Sequence, residues 1–515
     1  MHPYEKYFPV RCADDRLDVV SFLHRGLTVE RDRVIFEFGD DAWTVRRFAR
    51  HVAAMQSWLA EQGLIKGDRV AVMLGNSPGH IALVAALMLS GLVWVPVNTR
   101  QKAVGLQYVI DHCRPNLLIA DGEYAELFSE ALRGTKHQCV LVDLPNVWTA
   151  SEGEPRRHDV QPLDPLCIIY TSGTTGAPKG VLFTHRMMRI AGEAAMMVAN
   201  AGDGDVMFMW EPLCHIGGAQ MLVAPFLRRV KLHIVDRFSA SRFWGQVSAA
   251  NATHLHYLGG ILEILMQVPL PPRGTHSLRT AWGAGLAAQS FSKACDMFEV
   301  DIRECYGMTE CSSFATVNES RKPGSIGRPL PWLKIDLLDD SGQSVAVGVT
   351  GEMVISSDIE GVFLPGYLDN AEATTEALRN GTLHTGDYAR VDADGDLIFV
   401  GRATDSMRIR GENVSAWEIE RVLAMHPAIQ ACAAVGVKSE IGEQDVLLYV
   451  RPRDGHSLQW NMLAQWAGEQ LASYQLPRYY KHVDEFEVTP SERIKKNLLS
   501  RDTSDAWDRL AQEED

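Results

Sequence analysis

The sequence predicts an α/β protein. A large N-terminal domain holds two αβ sheet subdomains and a small β subdomain, and a small α+β domain follows it. Three observations predict this. Short apolar runs of strand length alternate with helix-period segments over the first 300 residues or so. From 326 to 400 the pattern changes to short strands divided by glycine-rich turns. After about 403 helix and strand alternate again, and 515 residues exceed what one hydrophobic core usually holds. The domains expected are 1–402 and 403–515.

In order along the chain, Phe48, Val52, Met55 and Leu59 share one helical face, and Gly63 stands where a C-terminal cap belongs. A strand follows at 69–74. Ser77-Pro78 reads as an N-cap with proline at the first helical position, Gly91 as the stop, and 92–95 as a buried strand. The apolar run 81–97 is therefore one helix–strand step, because Ser90, Gly91 and Pro96 interrupt it before the ~20 residues a spanning helix needs. A helix at 105–112 and a strand at 116–120 complete the first alternation, which resumes from Cys167 to about Val300. Strands are expected at 334–338, 352–355 and 396–400. The second domain should carry a helix at 417–425, strands at 431–437 and 446–450, a helix at 457–471, and then a charged tail.

A formal charge of −15 argues against nucleic acid and anionic membrane as partners. Nine scattered cysteines, odd in number and without a CxxC pair, read as reduced thiols in a cytoplasmic protein. The opening Met1-His2-Pro3-Tyr4-Glu5-Lys6 has neither the basic nor the apolar region of a secretory signal. His254 and His256 alternate on an expected strand and point the same way, but no third zinc ligand accompanies them.

The sharpest chemical signal follows the apolar stretch 166–169. It is Tyr170-Thr171-Ser172-Gly173-Thr174-Thr175-Gly176-Ala177-Pro178-Lys179-Gly180. Glycines, hydroxyls and a closing lysine make a loop rich in N–H and O–H donors, which is what a polyphosphate requires. It is not a Walker A loop, since Lys179 lies between Pro178 and Gly180 and does not open a helix. Gly411 lets backbone approach a ligand closely.

This loop, with Tyr306-Gly307-Met308-Thr309-Glu310, His384-Thr385-Gly386-Asp387 and Gly401-Arg402 in order after it, resembles the adenylate-forming superfamily of acyl- and aryl-CoA ligases, luciferases and nonribosomal adenylation domains. The resemblance runs from about Thr44 to Leu499. It implies ATP, Mg2+ and coenzyme A as co-substrates, with a carboxylic acid activated as acyl-AMP and passed to a thiol. Thr171, Ser172, Gly173, Thr174, Thr175, Gly176 and Lys179 would hold phosphates. Gly283, Ala284, Gly285, Tyr306 and Gly307 would line the nucleotide site, with Tyr306 on the adenine. Thr309 would meet the α-phosphate, Glu310 the magnesium, Asp387 the ribose, and Arg402 the nucleotide. Asp405 would mark a hinge on which a mobile small domain turns, so that Arg410, Gly411 and Glu412 enter the site for the thiol step. His215, Gly259 and Trp282 would bound the acyl pocket, with Trp210 and Trp282 also read as ordinary core residues. The segments 211–215 and 410–415 look most like the crotonobetaine/carnitine-CoA ligase branch, which favours a short polar or charged acid.

One departure stands out. The superfamily's adenylation lysine sits in a Pro-x-Gly-Lys-Ile type segment, and here the sequence is Pro490-Ser491-Glu492-Arg493-Ile494-Lys495-Lys496. Arg493 occupies the lysine's register and keeps the charge on a bulkier, planar group. Lys495 or Lys496 is the alternative supplier, and a weakened nucleotide-binding homologue is the third reading. An acyl-AMP ligase that loads a carrier protein is the alternative among active enzymes, although no carrier domain follows in this sequence. A homodimer is the default assembly.

Overall fold

The longest apolar run folds into one helix and one strand, as predicted. The computed structural model describes residues 3–137, 139–143, 153–171, 177–286, 288–339, 341–402, 406–440, 442–453, 455–487, 494 and 496–512. Ser77 caps helix Pro78–Ser90, its hydroxyl accepting from the His80 N–H at 3.2 Å, and Gly91 ends the helix in left-handed backbone at φ 70°. Every residue from Gly79 to Ser90 is buried. A helix with no polar face must lie inside a core or in lipid; this one packs against helix Val45–Glu61 and strand Val93–Pro96. Among the described residues no helix is long and apolar enough to cross a membrane.

The first sheet runs in the order Val140–Asp143, Leu117–Ala120, Arg69–Met73, Val93–Pro96, Pro165–Thr171, Lys179–Thr184. Its strands are parallel except the last, which folds back as a hairpin. The second sheet runs Asp301–Glu304, Thr280–Ala284, His254–Leu258, Val206–Met209, Lys231–Ile234, all parallel, and ends on the hairpin Val34–Phe38 and Asp41–Thr44. Chain order and sheet membership thus part company twice. The alternation that resumes at Cys167 first completes the earlier sheet, and the N-terminal hairpin crosses to the later one. Periodicity fixes which face of a strand is apolar, but not which strand it pairs with.

The third sheet is antiparallel, with Leu333–Leu338, Gly351–Ser357, Thr382–Val391 and Leu378–Arg379 in order and Leu397–Arg402 also paired to Thr382–Val391. In the small domain, Ile429–Lys438 and Gln444–Pro452 pair beside helices Ala416–Leu423 and Trp460–Gln470. The expected charged tail is more than that: Tyr479–His482 and Trp507–Asp508 extend this sheet. Their apolar residues Tyr480 and Trp507 pack edge to face at 5.4 Å, which places the segment on the core.

After the hairpin of Pro165–Thr171 and Lys179–Thr184, Thr184 caps helix His185–Ala199 by accepting from the Met187 N–H at 3.1 Å. An ionic knot pins that helix internally: Arg189 pairs with Glu193 and, at 3.3 Å, with Asp15, while Arg11 and Arg228 each reach Glu193 at 3.2 Å. Removing one member of such a buried set leaves uncompensated charge, so it fixes the helix rigidly.

Candidate active site

Thr171 pairs with Lys179 across the first hairpin, so the two ends of the glycine- and hydroxyl-rich segment stand opposite one another. Ser172, Gly173, Thr174, Thr175 and Gly176 lie outside the described residues. The return is held by the Tyr108 hydroxyl, which donates to the Pro178 carbonyl at 2.9 Å. The Lys179 ammonium stands 5.1 Å from the centre of the Tyr367 ring, and the Tyr367 hydroxyl donates to Glu310 Oε1 at 2.9 Å. Burial, and then the Glu310 carboxylate, raise the Tyr367 phenol well above its ordinary range, so the hydroxyl stays a donor.

Glu310 follows Thr309 in a short helical turn after strand Gly307–Met308, and both residues are buried. Gly307 is required there, because a Cβ would stand 2.1 Å from the Ser313 carbonyl oxygen of the paired strand. At the other end of the motif the Tyr306 hydroxyl donates to Asp387 Oδ2 at 2.6 Å, across 81 positions of sequence. Asp387 is a strand residue. It lies within the long strand Thr382–Val391, beside an irregularity in the pairing with Gly351–Ser357, and opposite Arg402 on Leu397–Arg402. The five residues from Tyr306 to Glu310 therefore link the two clusters: Asp387 at one end, Tyr367 and Lys179 at the other.

Gly283, Ala284 and Gly285 end strand Thr280–Ala284 and turn out of it. Glu304 lies behind that turn. Its Oε1 accepts from the N–H of Gly285 at 2.6 Å and of Leu286 at 3.2 Å, and the Tyr257 hydroxyl donates to its Oε2. Complete burial pushes the Glu304 carboxyl up to about 7, against the pull of those three donors.

On the far side of the site the small domain enters the large one. The tight turn between strands Ser406–Ile409 and Glu412–Ser415 carries Arg410 at φ 49° and Gly411 at φ 81°, so left-handed backbone is needed twice. The turn brings Glu412, 3% exposed, among residues of the large domain. Its Oε2 lies 2.5 Å from His215 Nε2, its Oε1 pairs with Arg100, and Asn98 donates to it at 3.3 Å. Arg100 also lies over the ring of Tyr474, 5.1 Å from its centre, which adds a second interdomain contact. Burial would raise Glu412, yet His215 and then Arg100 bring it down to about 2. Burial lowers His215, but Glu412 outweighs it and raises the imidazole well above its usual value.

Of the acyl-pocket residues, His215 faces this junction and Gly259 opens helix Gly259–Leu265 after strand His254–Leu258. Trp282 is wholly buried and stacks obliquely on His256 at 4.2 Å, with Phe314 at 5.4 Å. His256 pairs with Glu211, and its carbonyl accepts from the Trp210 indole at 2.8 Å. Both tryptophans thus pack inside the protein. Arg493, Lys495 and Asp405 lie outside the described residues, and Arg402 is placed by its backbone alone. Lys496 is engaged within the small domain, 2.7 Å from Glu420.

The family described as AMP-binding enzyme matches residues 23–368, and its C-terminal domain matches residues 418–493. The chain belongs to the AMP-binding enzyme family. The recognition made from the motifs is borne out, and so is the fold class. Relatives of this AMP-binding enzyme include the sulfoacetate–CoA ligase of Cupriavidus necator, 31% identical over 85% of this chain and 88% of that one. The feruloyl-CoA synthase of an Amycolatopsis species is 30% identical over 90% and 94%. The crotonobetaine/carnitine–CoA ligase of Proteus mirabilis is 29% identical over 81% and 85%. The fold is that of o-succinylbenzoate CoA synthetase from Bacillus subtilis, solved with a product analogue. It superposes with a TM-score of 0.83 over 94% of this chain and 98% of that one, at 22% identity. The AMP-forming acid–thiol ligases, with ATP, Mg2+ and CoA, are the class to which these relatives belong.

The donor set fits magnesium carried by a nucleotide. Mg2+ keeps several waters and takes one or two carboxylates together with substrate phosphates. Glu310 supplies a buried carboxylate linked through Tyr367 to Lys179, and among the described residues no group of three His, Cys, Asp or Glu could hold a metal by itself. Three residues of this AMP-binding enzyme escaped the sequence reading: Tyr367, Glu304 and Arg100. Arg100 and Glu304 follow or end parallel strands, at the carboxyl edge where ligand sites gather in such sheets. That position was the available signal. Tyr367 carries none, being placed by contacts distant in sequence.

Proposed function

We propose that this AMP-binding enzyme is a carboxylate–CoA ligase. The acid carboxylate attacks the α-phosphorus of ATP, giving acyl-AMP and pyrophosphate; the CoA thiol then attacks the acyl carbonyl, giving acyl-CoA and AMP. The observation that carries the reading is the link through residues 306–310, which gathers Lys179, Glu310 and Asp387 from three distant motifs. In this reading Lys179 and the donor-rich turn bind phosphates, Thr309 meets the α-phosphate, and Glu310 takes the magnesium. Asp387 accepts from the ribose hydroxyls, and Arg402 also meets the nucleotide. A positive group beside the carboxylate and α-phosphate stabilises charge that builds up during adenylation, and Arg493 is assigned to it. Residues 1–402 form the adenylation domain and 403–515 a domain that turns about Asp405. The entry of Glu412 between His215 and Arg100 supports a placement suited to the thiol step.

The acid is short and polar or charged. His256 lies against Gly217, whose Cβ would meet it at 3.3 Å, and Trp282 and Phe314 pack on the same imidazole. The relatives acting on sulfoacetate and on crotonobetaine or carnitine agree with that size and polarity. All nine cysteines are free, which suits a cytoplasmic enzyme.

The test is AMP release with CoA across short betaines, hydroxy acids, sulfonated acids and dicarboxylates, with ferulate and a fatty acid included. Turnover of a short charged acid at least tenfold above ferulate is expected. Preference for ferulate or the fatty acid would reject the substrate class, and acid-dependent pyrophosphate exchange without thioester from free CoA would reject CoA as acceptor. Arg493→Ala is expected to lower that exchange by about 10²-fold, the scale of one lost preorganised contact. Exchange at the wild-type rate would remove Arg493 from the reaction.

A further inference from the structure

Tyr367 touches both charged residues at the phosphate end of the site. Its backbone is held from two sides: it bridges to Val181, and its N–H donates to Thr374 Oγ1 at 2.9 Å. On either side of it, the Gly366 carbonyl accepts from Leu182 at 3.1 Å and the Leu368 N–H donates to Gly180 at 2.8 Å. The tyrosine is therefore stitched to strand Lys179–Thr184, which begins with the phosphate-loop lysine. Beside it, the Leu364 N–H donates to the Glu310 carbonyl at 2.9 Å, so the same segment also grips the main chain of Glu310.

We propose that Tyr367 is the positioning residue that sets Lys179 and Glu310 to act on one polyphosphate. The inference rests on the nucleotide reading above. The ring carries the lysine ammonium on its face, and the hydroxyl holds the carboxylate by a charge-assisted hydrogen bond. A lysine and a glutamate left to themselves would seek one another and neutralise; the intervening ring and hydroxyl give each its own contact. Lys179 would then meet the phosphate oxygens, and Glu310 would hold the magnesium that accompanies ATP, which would supply further positive charge.

Two substitutions separate the contacts. Tyr367→Phe keeps the ring and removes the hydroxyl, whereas Tyr367→Leu removes both. Binding of a fluorescent ATP analogue to each full-length protein is titrated against Mg2+ and repeated in EDTA, with urea unfolding recorded alongside. For Tyr367→Phe the Mg2+ needed for half-saturation should rise about tenfold, the scale of one hydrogen bond to a charged group, while metal-free affinity stays within about twofold. Tyr367→Leu should show the same Mg2+ shift and lose, in addition, roughly threefold to tenfold of the metal-free affinity. An unchanged Mg2+ midpoint in the folded Tyr367→Phe protein would overturn the proposal, as would identical behaviour of the two variants. A lowered urea midpoint with unchanged Mg2+ dependence would make the residue merely structural and also overturn it. If the wild type binds no nucleotide, the nucleotide reading falls first and takes this inference with it.

Discussion

Lys179, Tyr367, Glu310, Tyr306 and Asp387 all belong to the large domain, whereas Glu412, which closes the other end of the site, arrives from the small one. The end assigned to the nucleotide is held by short hydrogen bonds and a ring face within one packed body. The end assigned to the thiol step is held by charge across a domain junction, with Glu412 between His215 and Arg100. Contacts of the first kind do not involve the small domain. Those of the second exist only while the turn at Gly411 is inserted. The proposed two-step reaction would use that asymmetry, the nucleotide staying while the group that assists each step is exchanged.

Breaking the permanent end should cost most. Asp387→Ala removes the acceptor assigned to the ribose and leaves the buried Tyr306 hydroxyl without this partner. Loss of hydrogen bonds to a charged group amounts to about 1.5–3 kcal/mol each. The ATP KM should rise about 10²-fold or more, in pyrophosphate exchange and in AMP release alike. An effect confined to AMP release would contradict the comparison.

Breaking the conditional end should be selective. Glu412→Gln keeps the shape and deletes the charge that His215 and Arg100 share. His215 and Arg100 are partly exposed, and solvent softens the loss, so CoA-dependent thioester formation should fall about tenfold. Single-turnover rates for the two half-reactions would show it, with adenylation changed by less than about threefold. Equal losses in both would mean that the junction serves adenylation too.

Acidity sharpens the same contrast more gently. His215 is raised, so its charge is complete below the ordinary histidine value and is lost as pH climbs through the raised one. Glu412 is lowered, so its charge is complete above its ordinary 4.5 and is lost only as pH falls toward about 2. The pair therefore holds from about pH 4.5 through neutrality and loosens on the alkaline side. The thioester step should decline a few-fold there relative to adenylation. His215→Gln should flatten that alkaline limb; a limb that persists in this variant belongs to another group.

The last effect is read in stability and not in turnover. Glu304 is raised from 4.5 to about 7, so the native state keeps a proton that the unfolded chain releases. Its stabilisation is complete below 4.5 and lost as pH rises through about 7. Glu304→Gln should match the wild type in urea at pH 5 and exceed it by about 2 kcal/mol at pH 8. No difference between the two pH values would show that the carboxyl titrates normally.

The sequence was most informative where local chemistry repeats a rule. Ser77, Pro78 and Gly91 bounded a helix within a residue, because caps act through neighbouring backbone groups alone. The glycine- and hydroxyl-rich segment ending at Lys179, Tyr306 to Glu310, Asp387 and the entering turn at Gly411 were also legible as ordered motifs. Less legible were the strands at Tyr479–His482 and Trp507–Asp508, too short and too charged to show an apolar period. Trp210 and Trp282 were ambiguous between pocket and core for a similar reason: an indole is written the same way in either place.

By itself, then, the order of residues determined the helices and strands with clear punctuation, the inventory of phosphate-binding and carboxylate groups, and the family. Tertiary structure alone decided that the Pro165–Thr171 strand completes the first sheet, that Tyr367 stands between Lys179 and Glu310, and that Glu412 crosses to His215 and Arg100. The physical reason is reach. Caps, turns and periodicity act over a few bonds and are written locally, whereas a hydroxyl 57 positions from its carboxylate or a glutamate 312 from its arginine is placed only when whole elements pack.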